Sequence, residues 1–345
     1  MRRMRKLALP ACAAGLLMAL AGLLMPVQPV AAKSPAYRHY VQGKLDTPTP
    51  GPVSGGLLLL GGGDRDHEAM RWFFKKAGNG HIVILRASLA GQIGKEFYRE
   101  IGGVQSAETF VFFNRSAAYD PKILARLRKA DGIFVAGGDQ ARYVRYWKGT
   151  PVAAIINAHV AAGKPFAGTS AGLAIQGEKL YGAMDDGSIT SAEALANPFG
   201  PANTIEGDFL DFPLLKGIVT DTHFKERDRL GRLFAFVAKA QALRPADAPA
   251  MIGLGVDESA ALAVEPDGTG RIFATAPDGG AWLVRGEALR HVPRTGPLEV
   301  ARVKVTGVGT ASRVHLPEGR VEEPKFVRYY GVRSGRLAEL PCACE

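Results

Sequence analysis

Residues 168–172 read Gly-Thr-Ser-Ala-Gly, the pattern of a nucleophile elbow centred on Ser170. The segment follows an apolar run at 165–168 and precedes Leu-Ala-Ile at 173–175, so it connects a predicted strand to a predicted helix. In such a turn, small neighbours let the hydroxyl project and leave the next backbone N–H available to an oxyanion. A glycine-flanked serine can equally cap a helix. Ser170 is therefore a candidate nucleophile that still requires a base.

A serine hydroxyl is unreactive at neutral pH unless a base accepts its proton. Of the seven histidines, His223 is the best placed, because it follows the apolar stretch 214–219, which reads as a buried strand. His39 lies in the N-terminal lead-in, and His291 and His315 lie in the C-terminal part, where surface or packing roles account for them. The pattern therefore predicts His223 as the base.

The third member of such a triad is a carboxylate that orients the imidazole. The candidates are the acidic residues between the predicted nucleophile and base: Glu178, Asp185, Asp186, Glu193, Glu206, Asp208 and Asp211. The residues alone do not choose among them.

Three arginines follow the predicted base: Arg227, Arg229 and Arg232. They open a segment whose apolar positions continue to 237, which predicts a helix. Guanidinium groups can clamp substrate carboxylates through paired hydrogen bonds. The alternative is a solvated helix face with internal ion pairs.

These residues require elements that bring them to one edge of a sheet. Short apolar runs predict strands at 57–60, 81–85, 109–113, 132–136 and 165–168, with helices near 65–76, 92–101, 121–129, 140–147 and 151–162 between them. This alternation predicts an α/β fold with a mostly parallel sheet. Glycine-rich turns at 61–64, 137–140 and 168–172 follow three of the strands and would converge at their carboxyl ends.

The C-terminal part has a different texture from about residue 245. Asp-Gly and Gly-Gly turns at 265–268 and 277–280 separate short apolar stretches and predict hairpins. We expect one α/β hydrolytic domain over 55–345 with this β-rich part extending or flanking its sheet. Residues 33–54 are rich in Pro, Gly, Ser and Thr and predict an extended lead-in.

The N-terminus predicts a signal peptide over residues 1–32. Four basic residues precede an uncharged run from Leu7 to Met25, and Val-Ala-Ala at 30–32 forms a cleavage site. The alternative is an uncleaved membrane anchor. We expect an exported protein, periplasmic or extracellular, without stable membrane insertion after cleavage.

Charge and cysteine content exclude several classes of partner. The formal net charge is +10, and basic and acidic residues are interspersed after residue 32, which argues against a nucleic-acid partner. Cys342 and Cys344 are too few to form a disulfide framework or a complete zinc site. We expect no metal or organic cofactor.

The ordered motifs together resemble the cyanophycinase-like peptidases of family S51. They are Gly-Gly-Asp-Gln at 137–140, Gly-Thr-Ser-Ala-Gly at 168–172, Asp-Thr-His-Phe at 221–224 with the three arginines, and Gly-Leu-Gly-Val-Asp-Glu at 253–258. The resemblance covers roughly residues 55–265. It implies a class I glutamine-amidotransferase-like, flavodoxin-like three-layer sandwich with serine at the elbow.

The resemblance also implies residue roles. It implies a Ser–His–Glu triad, carried onto Ser170, His223 and Glu193, the last through the segment 191–198. It implies an oxyanion hole formed by the backbone N–H groups of Ala171 and Gly138. Residues implied at or supporting a substrate groove are Gln140, Asp221, Thr222, Arg227, Arg229 and Arg232.

The family degrades cyanophycin, a poly-aspartate whose β-carboxyls carry arginine, to β-Asp-Arg dipeptides. The resemblance therefore implies a serine-type exopeptidase that acts on cyanophycin, and it is compatible with a homodimer. Thr222 departs from the family's usual glutamine, which bears on substrate choice more than on hydrolysis.

Three alternatives differ from this reading. The first is a peptidase of the same family that acts on other aspartyl or isoaspartyl peptides. The second is an α/β-hydrolase esterase, which would need a histidine near the C-terminal end, where only His315 is available. The third is a catalytically silent protein that binds an anionic polymer through the arginines.

Overall fold

A computed structural model describes residues 35–88, 93–185 and 187–341. The predicted signal peptide, Asp186 and the two C-terminal cysteines lie outside these residues. Within the described part of the chain, no helix is long and apolar enough to cross a membrane. The described residues form one compact unit by their contacts.

The strands divide between two sheets. In chain order they are β1 (Tyr37–Gly43), β2 (Leu57–Leu60), β3 (His81–Arg86), β4 (Ser106–Phe112), β5 (Gly132–Val135), β6 (Phe166–Thr169), β7 (Lys179–Tyr181), β8 (Ile205–Glu206), β9 (Ile218–Asp221), β10 (Ile252–Val256), β11 (Ala260–Val264), β12 (Thr269–Ala274), β13 (Ala281–Arg285), β14 (Val300–Val308), β15 (Arg313–His315), β16 (Arg320–Glu322), β17 (Phe326–Arg333) and β18 (Arg336–Leu340).

The helices fall mostly between the parallel strands. They are α1 (His67–Lys76), α2 (Ile93–Lys95), α3 (Pro121–Lys129), α4 (Gln140–Trp147), α5 (Pro151–Ala161), α6 (Ala171–Ala174), α7 (Ser191–Ala196) and α8 (Leu230–Ala242). α2 continues as a π-helix over Glu96–Ile101, and 3-10 turns lie at Arg115–Tyr119, Pro213–Leu215 and Glu287–Leu289.

The first sheet has ten strands in the order β1-β4-β3-β5-β6-β2-β11-β12-β15-β16. Its five strands from β4 to β2 are parallel, and every residue of β2, β5 and β6 is buried. Alternate residues of β2 face opposite cores: Leu57 and Leu59 pack with α3, α4 and α5, and Leu58 and Leu60 pack with α1. Helices on both faces of this parallel central part confirm the predicted α/β class.

The second sheet has eight strands in the order β18-β17-β14-β13-β10-β9-β7-β8. Its parallel pairs are β7 with β9 and β9 with β10, and its other pairs are antiparallel. α8 packs against this sheet, and eight of its residues, at 230, 233–238 and 240, are part of one apolar core. The β-rich C-terminal part is therefore shared between two sheets.

One of the two hairpins expected in this part is present, and the other is replaced by a connection between the sheets. The turn at 265–268 does join β11 to β12 as an antiparallel pair. The turn at 277–280 instead carries the chain from β12 in the first sheet to β13 in the second. The residues between β10 and β11 make a similar passage, so the two sheets are joined where the chain crosses.

Two element boundaries also differ from expectation. The predicted extended lead-in contains β1, which pairs antiparallel with β4 at the edge of the first sheet. The helix expected directly after His223 begins only at Leu230, because the backbone takes a positive φ at His223 (45°) and again at Asp228 (46°). Such φ values interrupt a right-handed helix.

Candidate active site

Ser170 lies in a sharp turn between β6 and α6. Its backbone φ of 53° and ψ of −118° are unusual for a residue with a side chain, and such strain is typical of a nucleophile elbow. Glycines on both sides make the turn sterically accessible: a Cβ on Gly168 would lie 2.2 Å from the Gly172 carbonyl oxygen, and one on Gly172 would lie 2.1 Å from that of Val135. The pattern at 168–172 is thus a packing requirement.

His223 reaches Ser170 from the second sheet. It follows β9, and its backbone N–H donates to the Gly61 carbonyl, 2.8 Å away, at the end of β2. Its Nε2 lies 2.6 Å from Ser170 Oγ. Gly62 allows this approach, because a Cβ there would lie 2.2 Å from the imidazole Cε1. The turn after β2 therefore supports the ring of His223.

The carboxylate on the other side of the imidazole is Glu258, which contacts His223 Nδ1. Glu258 follows β10, the strand next to β9, and its backbone N–H donates to Glu226, 2.9 Å away. A carboxylate only accepts, so Nδ1–H donates to Glu258 and Nε2 is left to accept from the Ser170 hydroxyl. Ser170, His223 and Glu258 form a continuous hydrogen-bonded relay.

The prediction that Glu193 orients the imidazole is wrong. Glu193 lies at the third position of α7, where its carboxylate accepts from the backbone N–H (2.8 Å) and the hydroxyl (2.7 Å) of Thr190. These hydrogen bonds form a capping box and lower the pKa of this exposed carboxyl. The sequence at 190–193 was therefore a helix-start signal.

Opposing effects act on the pKa of His223. Burial lowers this pKa most, the hydrogen bond that His223 donates to Glu258 raises it, and the positive charge of Arg227 lowers it further. The net direction is downward, which keeps the imidazole neutral at a lower pH than usual. A neutral imidazole is the form that can accept a proton from Ser170.

The two turns that carry the backbone donors predicted for an oxyanion lie beside Ser170. Ala171 is the first residue of α6, directly after the serine. The Gly137 side of the turn after β5 is close to it, since a Cβ on Gly137 would lie 3.3 Å from Ser170 Cβ. Gly138 has a φ of 146°, which glycine adopts readily. The structure thus brings both predicted turns to the serine.

Four of the residues predicted to bind substrate are buried and bonded to one another. Asp221 accepts from Arg232 Nε at 2.7 Å, and Arg229 Nη1 donates to the Thr222 carbonyl (2.9 Å) and hydroxyl (3.1 Å). Their exposed fractions are between 2% and 7%. The expectation of direct substrate contact is corrected for these four, because their polar groups are used in holding the segment that carries His223.

The other two predicted groove residues are more accessible. The Arg227 side chain is about half exposed, with Nη2 3.6 Å from Glu258 Oε1. Gln140 begins α4, is half-buried, and its Nε2 lies 3.5 Å from the Tyr181 carbonyl oxygen. Both side chains therefore retain polar groups that a ligand can reach.

A pocket of about 420 Å³ opens on Ser170. Besides the serine, it is lined by Gly62, Gly63, Gly137 and Thr169. Four charged residues and one apolar residue also line it: Arg65, Arg86, Glu96, Glu100 and Ile93. The serine therefore borders a space that can hold a polar ligand.

Comparison with known proteins identifies the family of this chain. The model of Peptidase family S51 matches residues 97–270, half of the chain. The chain belongs to peptidase family S51. It is 28% identical over 287 residues to the cyanophycinase of Trichormus variabilis, a match that covers 79% of this chain and 89% of that protein. The cyanophycinase of Synechococcus elongatus is 28% identical over 232 residues, or 63% of this chain and 65% of that protein.

Among solved structures, a peptidase from an acI-B1 actinobacterium aligns with 79% of this chain and 98% of its own, at a TM-score of 0.47 and 15% identity. As an S51 peptidase, the protein is a serine-type peptidase.

Glu258 is the site residue that the sequence reasoning missed. All the candidate acids lie between Ser170 and His223 in the chain, whereas Glu258 lies after both, in the segment 253–258 that resembles the S51 pattern. A local signal was present, since Glu258 follows a buried strand with the same glycine-rich texture as the other turns of the site. In the described parts of the chain, no cluster of three or more His, Cys, Asp or Glu could hold a metal ion.

Proposed function

We propose that this S51 peptidase hydrolyses cyanophycin to β-Asp-Arg dipeptides through an acyl-enzyme. The observation that carries the chemistry is the relay from Glu258 through His223 to Ser170. The substrate class is proposed from the cyanophycinases to which the chain is similar.

The proposed reaction has two halves. His223 Nε2 accepts the Ser170 proton as Oγ attacks the scissile carbonyl, and the N–H groups of Ala171 and Gly138 stabilise the oxyanion. The imidazolium then protonates the leaving amine, and an ester joins Ser170 to the acyl part. His223 next deprotonates a water molecule that attacks this ester, and the proton returns to Ser170.

Electrostatics support a substrate that carries free carboxylates. Cyanophycin carries one free carboxylate on the arginine of each unit, and Arg227 offers a half-exposed guanidinium next to the relay. Arg229 and Arg232 do not add to that surface because they are buried. The site therefore exposes fewer cations than the sequence predicts. This observation favours a second candidate function, the hydrolysis of shorter aspartyl or isoaspartyl peptides by the same catalytic residues.

The first experiment incubates purified protein with insoluble cyanophycin and identifies soluble products by mass spectrometry, with Ser170→Ala as the matched control. We expect the unaltered protein to release β-Asp-Arg and Ser170→Ala to release none above background. Release of aspartyl products only from short β-aspartyl peptides would favour the second candidate. Unchanged polymer binding in both proteins with no hydrolysis of any peptide would instead indicate a binding protein.

We also propose export, because the basic start, the uncharged run and the Val-Ala-Ala site together form a signal sequence. An enzyme that degrades scavenged polymer outside the cytoplasm would need such a signal. N-terminal sequencing of protein recovered outside the cytoplasm should begin at Lys33. Full-length protein retained inside the cell would contradict export and leave the peptidase proposal intact.

A further inference from the structure

Arg86 is a buried charged residue in the wall of the Ser170 pocket. It ends β3, at the same carboxyl edge of the first sheet as the serine, and lines the pocket of about 420 Å³. Only 9% of the residue is exposed. The proposed mechanism gives it no role.

Two guanidinium nitrogens of Arg86 have no hydrogen-bond partner among the described residues. Its Nε and Nη1 are fully buried, and neither makes a hydrogen bond in the part of the chain that the structure describes. Burial lowers the pKa of Arg86, an effect that the charge of Arg65 reinforces and that Tyr143 opposes. A buried cation without a carboxylate is costly to maintain. Such a cost is expected where a ligand supplies the missing acceptor.

The neighbouring charges of the pocket do not satisfy Arg86. Arg65 donates to Glu96 from both Nε, at 2.7 Å, and Nη2, so that pair neutralises itself. Glu100 is exposed on the π-helix and has no ion-pair partner among the described residues. The pocket therefore offers one paired arginine, one unpaired arginine and one free acid within reach of Ser170.

We propose that Arg86 binds a carboxylate of the substrate beside the scissile bond, as a residue that determines specificity. This inference rests on the proposed function for the identity of that carboxylate, which in a β-Asp-Arg unit is the α-carboxylate of the arginine. A planar guanidinium can hold it through two parallel hydrogen bonds. Arg86 thus positions the substrate and takes no part in proton transfer.

The test compares two organophosphonates of equal length that label Ser170, one ending in a carboxylate and one in a carboxamide. We expect the carboxylate probe to label the unaltered protein about 10-fold faster or more, the range for a hydrogen bond to a charged group. In Arg86→Met the two rates should become equal, and in Arg86→Lys a smaller preference should remain. Arg71→Met, at an exposed arginine of α1, is the matched control and should keep the full preference.

Thermal unfolding separates a binding role from a structural one. Because Arg86→Met removes a buried charge that has no protein partner, the melting temperature should stay the same or rise. A large fall in melting temperature would show that the guanidinium stabilises the free protein and would overturn the inference. An unchanged probe preference in Arg86→Met, or its loss in Arg227→Met alone, would overturn it as well.

The substrate can be tested separately with β-Asp-Arg and its arginine carboxamide as competitors of the neutral probe. Stronger protection by the dipeptide that disappears in Arg86→Met supports the assigned carboxylate. Failure to cleave cyanophycin, with the probe preference still dependent on Arg86, would contradict the proposed substrate and leave the carboxylate site established. A preference independent of Arg86 in a protein that does cleave cyanophycin would overturn the carboxylate site at Arg86 and leave the proposed substrate standing.

Discussion

At the scale of single residues, the reactivity of Ser170 depends on the protonation of His223. Burial and Arg227 favour the neutral imidazole, and Glu258 favours the charged form. Because the neutral form is the base, activity should rise with pH through a pKa that lies below the usual 6.5. We therefore expect a broader active range on the acidic side than an exposed histidine would provide.

Arg227→Gln should shift this pH dependence upward. Removing the positive charge eliminates an effect that lowers the pKa of His223, so the pKa rises and the acidic limb moves to higher pH. The measurement is the pH profile of Ser170 labelling by a neutral phosphonate, which does not need a substrate carboxylate. Arg71→Gln serves as control and should leave the profile in place. A shift to lower pH in Arg227→Gln would contradict the assigned cause.

At the scale of elements, each member of the relay lies after a different strand. Ser170 follows β6 in the first sheet, and His223 and Glu258 follow the parallel neighbours β9 and β10 in the second. Gly255 permits close packing here, since a Cβ on it would lie 2.2 Å from the ring of Phe224. The order of the strands therefore sets the geometry of the site.

Glu258→Gln and Glu193→Gln should have very different effects. An amide at 258 would no longer hold the imidazole as its proper tautomer or stabilise its charged form, so kcat should fall by about 10²- to 10⁴-fold. Glutamine at 193 can still serve in a capping box, so that variant should retain full activity. Peptide hydrolysis under saturating substrate checks both. Equal losses in the two variants would argue against the assignment of Glu258.

Local signals in the sequence predicted much of this arrangement. The turn at 168–172 and the strands β2, β3, β5 and β6 follow from short-range patterns of glycines and apolar residues. Glu258 and the burial of Arg229 and Arg232 depend on pairing between distant strands, and a list of charges does not show which of them become buried. β1 was missed because its residues are only partly buried and lack a continuous apolar run.

At the scale of the whole molecule, the site lies on the seam between the two sheets. A backbone hydrogen bond crosses this seam from His223 N–H to the Gly61 carbonyl (2.8 Å). The chain itself passes between the sheets at 257–259 and at 275–280. The two sheets therefore cannot separate from each other without disturbing the relay.

The two sheets should consequently unfold together, and activity should disappear in the same transition, although a chain of this size often unfolds through intermediates. Pulsed hydrogen exchange across a urea series, read by mass spectrometry, should give one midpoint for peptides from β3 and β5 and for peptides from β14 and β17. Ser170 labelling should share that midpoint, because the serine and its base are carried by different sheets. Separate midpoints for the two groups of peptides would mean that the seam opens independently, and labelling would then be lost at the lower one.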